Sequence, residues 1–159
     1  MNFFISAHSQ RGASREENQD SILALSWRNQ DRERDSFIGE IKQTDLPGLL
    51  LIADGMGGHS NGSLASRIAI DSINETFQLG RDNFREGCAV QIAHSSLKDA
   101  DNGVWRPMGT TVVGLVMTTA EFRFFNVGDS KCMHITEDRL EEVSVEDRYL
   151  HGRSKAITQ

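Results

Sequence analysis

The sequence predicts an α+β fold. Short strand-like stretches open the chain as far as Ala53, two segments of helical periodicity follow, and β-rich segments resume after Pro107. This segregated order argues against a repeated βαβ sheet.

Taken in turn, residues 2–8 read as a short strand, followed by the polar turn Ser9-Gln10-Arg11-Gly12 and the charged run Arg15-Glu16-Glu17-Asn18-Gln19-Asp20. Residues 21–27 alternate enough to form a second strand. Residues 28–47 are polar, with Asp31-Arg32-Glu33-Arg34-Asp35 and a Pro47-Gly48 break, and predict a variable surface loop or hairpin tip. Leu49-Leu50-Leu51-Ile52-Ala53 is a continuous apolar run, as expected of a central strand. Ala65, Ile68, Ala69, Ile73 and Phe77 recur at three- and four-residue spacing and predict a helix over 63–77, with Ser60 or Asn61 as its cap. A second helix is expected over 83–99, with Ala89, Ile92, Ala93 and Leu97 on its apolar face. Residues 110–118, 121–127, 131–136 and 139–143 then predict an antiparallel meander. Residues 148–159 hold Tyr149, Leu150 and Ile157 but no complete element, so the chain is expected to stop midway through a larger domain.

Bulk composition narrows the function. The chain has 159 residues, 38% hydrophobic and 25% charged, which suits one domain (1–159) with a core and does not suit a disordered chain. A net charge of −6 argues against general affinity for nucleic acid or an anionic membrane, because phosphate contacts need clustered Lys and Arg. Cys88 and Cys132 lack CxxC spacing and read as buried thiols in a reducing compartment. No apolar stretch approaches the ~18 residues of a spanning helix. The N-terminus lacks the basic region of a signal peptide, so a cytoplasmic location is expected.

Four segments carry chemistry. They are Gly12 to Asp20; Asp54-Gly55-Met56-Gly57-Gly58-His59 with Gly62, Ala65 and Ser66; Met108-Gly109-Thr110-Thr111; and Asn126-Val127-Gly128-Asp129-Ser130-Lys131. Asp54 sits at the end of a buried strand, in a loop too glycine-rich to block an approaching group. Hard divalent cations want oxygen ligands, and Mg²⁺ takes only one or two carboxylates directly. If the sheets gather Asp20, Asp54 and Asp129, the three like charges need cations between them. Arg15 nearby offers a fork of donors suited to a phosphate ester. Each piece alone has a plainer reading: a turn at Asp54-Gly55, a hairpin turn at Asn126 to Asp129, a solvated charge run around Arg15, and an exposed loop histidine at His59.

Together, and in this order, the four segments resemble the PPM (protein phosphatase 2C-like) family of metal-dependent serine/threonine phosphatases, of the compact bacterial type. The resemblance runs from about residue 5 to the end. It implies a β-sandwich flanked by helices in α-β-β-α layers, incomplete at its C-terminus. By this resemblance Asp54 bridges two Mn²⁺ or Mg²⁺ ions and the Gly55 carbonyl binds one of them. Asp20 acts in the inner or outer metal shell, with Gln19 beside it where many members carry Glu. Asp129 serves a third, weaker site, Arg15 holds the substrate phosphate, and His59 is a candidate acid for the leaving alkoxide. The implied reaction is direct attack of water on the phosphorus of phosphoserine or phosphothreonine, without a phosphoenzyme. The implied partner is a phosphorylated protein in a Ser/Thr kinase pathway. Two further family aspartates, in an Asp-Gly and a later Asp-Asn segment, are not in this chain. That leaves two expectations open: part of a full phosphatase, or a short form that binds phosphoprotein or regulates a partner without turnover. A dinucleotide loop at 55–60 fits poorly, because the third glycine of that fingerprint falls at Ser60 and Asp54 would repel a pyrophosphate.

Overall fold

The computed structural model describes residues 2–25, 27–29, 34–56, 60–101 and 108–145. Strands β1 (Asn2–Gln10), β2 (Asp20–Ala24), β3 (Trp27–Arg28), β4 (Arg34–Lys42) and β5 (Gly48–Met56) come first. Helices α1 (Ser60–Leu79) and α2 (Glu86–Ala100) follow, then β6 (Gly109–Thr110), β7 (Val112–Met117), β8 (Phe122–Val127), β9 (Met133–Ile135) and β10 (Leu140–Glu142). The α+β order is therefore observed.

A main sheet runs β3-β2-β5-β7-β8, with β6 also paired to β5. The apolar run of 49–53 lies at its centre, as its composition requires. Its two faces differ. Leu23, Leu49, Leu51, Ala53, Val112 and Val116 point to one side, where they form a single core with Ala69, Ile70, Ile73 and Phe77 of α1 and Ala89 and Ala93 of α2. On the other face Ile22, Ile52 and Leu115 share a cavity of about 330 Å³ with Ile5 and Ala7 of β1. Strands β1 and β4 form a separate antiparallel ribbon, registered from Asn2↔Lys42 to Gln10↔Arg34.

Ile73 is fully buried in the helix–sheet core. Ile73→Ala is expected to destabilise the chain by about 2–5 kcal/mol, through lost transfer energy and the cavity left behind. A urea titration checks this, and a midpoint unchanged from wild type would contradict the packing described.

Several sequence expectations need correction. The largest concerns 28–47, where β4 occupies the expected loop. Positions 37, 39 and 41 face inward with an alternating pattern, and Phe37 stacks on Trp27 at 5.3 Å. The charges at 31–35 hid this period-two signal. The strand expected over 21–27 breaks at Leu25, which adopts φ 62° between β2 and β3. Helix α1 starts at Ser60, so the two expected cap residues lie in its first turn. On α2, Ile92 is exposed although Ala89, Ala93 and Leu97 are buried. The last two strands form their own ribbon, β9 with β10, and do not extend the meander. Neither thiol is buried as expected: Cys88 is exposed on α2 and Cys132 is partly buried. Residues 148–159 lie outside the described residues.

Candidate active site

The site is built where β2 and β5 pair. Asp20 and Asp54 face each other in register across this antiparallel pair. The two side chains share a hydrogen bond, and both carboxyls titrate above the ordinary carboxylate range. For Asp20 the causes are burial, then the charge of Asp54, then that hydrogen bond. For Asp54 they are burial and then the charge of Asp129, offset by the bond from Asp20 and by the Arg15 guanidinium. Two facing carboxyl groups with a third in electrostatic reach form an all-oxygen set of the kind a hard divalent cation relieves.

Asp20 and Asp54 line a polar cleft of about 170 Å³, together with Gly12, Arg15, Glu17, Gln19 and Gly55. Arg15 is exposed at its rim, in a loop whose carbonyls at 15 and 16 accept from the Arg11 guanidinium at 3.2 and 3.3 Å. The structure thus brings Asp20, Asp54, Gly55 and Arg15 together and sets Asp129 within electrostatic reach of Asp54. The expected convergence of three carboxylates is looser than anticipated. Among the described residues no three His, Cys, Asp or Glu side chains form a group that could hold an ion by themselves. The reason is geometric. Asp129 follows β8, which is separated from β5 by β7, whereas Asp20 is an immediate cross-strand neighbour of Asp54. His59 lies outside the described residues.

The surroundings fix this geometry through the backbone. Asn18 is buried; its amide donates to Ser9 Oγ at 2.6 Å and its carbonyl accepts from the Asp20 N–H at 3.1 Å. The Gln19 carbonyl accepts from the Gly55 N–H at 3.2 Å and from Ser66 Oγ at 2.7 Å, which fastens the first turns of α1 to the site. Glycine at 55 and 62 permits this approach: a Cβ at Gly55 would stand 1.9 Å from the Gly62 carbonyl oxygen. Asp54 itself is held at both ends of its residue. Its N–H donates to Thr111 Oγ1 at 3.1 Å, and its carbonyl accepts from the Thr111 N–H at 2.9 Å and from Thr110 Oγ1 at 3.0 Å.

Sequence reasoning did not assign roles to Glu17, Asn18, Ser66, Thr111 or Ser130. The acidic run contained Glu17, but nothing in it separates a side chain that lines a cleft from Glu16, which faces solvent. For the hydroxyl residues the available signal was their place inside the motif segments.

Known proteins share the sequence pattern and the fold. The family model for protein phosphatase 2C matches residues 17–154. The serine/threonine phosphatases stp of Listeria welshimeri and Listeria monocytogenes are 28% identical over 148 residues, a match that covers 75% of this chain and 57% of theirs. The chain thus spans little more than half the length of these curated relatives. Among solved structures, the Mycobacterium tuberculosis serine/threonine phosphatase PstP/Ppp superposes with a TM-score of 0.65 at 22% identity, over 94% of this chain and 56% of that one. The catalytic domain of PstP, solved with two manganese ions, gives 0.66 at 23% identity over 94% and 59%. The PPM Ser-Thr phosphatase MsPP of Mycobacterium smegmatis, in complex with cacodylate, gives 0.66 at 25% identity over 91% and 53%.

Proposed function

Because this chain belongs to the protein phosphatase 2C family, we propose that it carries the metal- and phosphate-binding elements of a metal-dependent protein serine/threonine phosphatase. The observation that supports this reading best is the register pair Asp20 and Asp54, facing each other in a polar cleft whose rim bears Arg15. Asp54 and Asp20 would hold two Mn²⁺ or Mg²⁺ ions with help from the Gly55 carbonyl, and Asp129 would serve a weaker third. Ions bound there polarise phosphoryl oxygens and make bound water a nucleophile near neutral pH. Arg15, planar and always charged, would clamp the phosphate of a phosphoserine or phosphothreonine side chain. The Asn18 and Thr111 hydrogen bonds hold the carboxylate-bearing backbone rigid, so that little reorganisation is needed on substrate arrival. His59 remains the candidate donor to the leaving alkoxide. The partner would be a phosphorylated protein made by a Ser/Thr kinase, in the cytoplasm; among the described residues no helix is long and apolar enough to cross a membrane.

The test is manganese-dependent hydrolysis of a phosphothreonine peptide by the chain. Turnover that vanishes with chelator and returns with Mn²⁺ is the expected result. Buffer-level rates alongside measurable peptide binding would reject the enzyme reading in favour of a binding module. Arg15→Ala is expected to raise KM about tenfold with little change in kcat, as for lost charge-assisted hydrogen bonds to the substrate phosphate. An unchanged KM would mean that Arg15 is a solvated surface charge.

A further inference from the structure

The Thr110-Thr111 segment is buried, yet it neither lines the cleft nor contributes a charge. Its hydrogen bonds lead in two directions. Toward β5, Thr111 holds the N–H and the carbonyl of Asp54, as described above. In the other direction, Thr111 Oγ1 lies 2.6 Å from Ser130 Oγ, with either hydroxyl able to donate. Ser130 is the residue after Asp129. The turn that carries them also settles directly onto Thr111. Gly128 has φ +98°, and a Cβ there would meet Thr111 Cγ2 at 2.8 Å. That close approach and positive φ both demand glycine. The Thr111 hydroxyl therefore accepts from the residue that bears one acidic group and pairs with the neighbour of another.

Resting on the metal-binding reading above, we infer that Thr111 is a positioning residue: its hydroxyl couples the Asp54 strand end to the Asp129 turn and so sets the spacing of the two carboxylates around bound ions. Thr111 touches neither ion nor substrate in this role. A valine of the same shape would keep the packing while it leaves the Asp54 N–H without an acceptor and the Ser130 hydroxyl without a partner. Outer partners that orient metal ligands typically contribute 10- to 100-fold to affinity.

The test is Mn²⁺ binding by the chain, followed by electron paramagnetic resonance, with amide chemical shifts recorded in the ion-free state. Thr111→Val is expected to weaken Mn²⁺ binding about 10- to 100-fold and to shift the amide signals of residues 54, 129 and 130 together. Thr111→Ser, which keeps the hydroxyl, is expected to restore affinity to near the wild-type value. Wild-type affinity in Thr111→Val would overturn the inference, and so would equal losses in the Val and Ser variants, which would indicate packing. Should Thr111→Val not fold, Ser130→Ala on the partly exposed turn decides: weaker binding supports the coupling and unchanged binding refutes it. If the wild-type chain itself takes up no Mn²⁺, the metal reading fails and the inference falls with it. That result is distinct from one in which only the variants match wild type.

Discussion

On the proposed function, Asp54→Asn is expected to abolish the metal-dependent phosphatase activity of the completed domain while leaving it folded. Asp54 is the carboxylate on which the others act: it is paired in register with Asp20, repelled by Asp129 and attracted by Arg15. An amide keeps the shape but gives up the negative charge that an ion needs. The stability readout is the more discriminating one, because it does not depend on turnover. At Mn²⁺ a hundred times its dissociation constant, wild type should gain about 2.7 kcal/mol of stability. For a chain of this size that is a rise in Tm of about 5–10 °C. The variant should show no rise. Without ions it should melt at or above wild type, because one member of a mutually repelling set has been neutralised. A variant that still gains stability from Mn²⁺, or still hydrolyses the peptide, removes Asp54 from its assigned place.

The second large effect is structural. Gly55→Ala is expected to cost about 3 kcal/mol or more, a decrease in Tm of about 6–12 °C. The new methyl would lie 1.9 Å from the Gly62 oxygen and 2.4 Å from its carbon, both backbone atoms in the first turns of α1. Neither can rotate away as a side-chain tip can. Relief requires moving α1 off β5, and α1 buries Ala65, Ala69, Ile73 and Phe77. Gly87→Ala supplies the control: nothing lies within 4 Å of a Cβ there. It sits in the first turn of α2, where alanine should gain less than the ~1 kcal/mol expected in a helix interior. Differential scanning calorimetry of the pair checks both, and equal Tm values would show that the Gly55–Gly62 approach is not tight.

These two glycines illustrate what the sequence could and could not convey. The run Leu49–Ala53 announced a central strand, because burial of a continuous apolar stretch is a local signal; Asp54 and Gly55, expected in a loop, instead continue that strand to Met56. The helix over 63–77 was equally legible from its spacing. What Gly62 does was not, since its partner Gly55 becomes a neighbour only when the helix folds back on the strand. Nor was β4, whose inward positions 37, 39 and 41 alternate beside a charged run that dominates the local composition. Asp129 taken alone fitted a hairpin turn, and the structure places it in a turn with Gly128 at positive φ; its electrostatic effect on Asp54 depends on tertiary placement. The buried hydroxyls of Ser66 and Thr111 were visible only as members of motif segments, because their hydrogen-bond partners lie 47 and 57 residues away in sequence.

The most direct measurement is a manganese anomalous difference map from crystals of the chain grown with Mn²⁺. The expected map has a peak at coordination distance from the Asp54 carboxylate, on the side it shares with Asp20. Peaks only at other surface carboxylates, with the Asp20–Asp54 hydrogen bond intact and no density beside it, would contradict the assignment of this cleft as a metal-dependent phosphatase site.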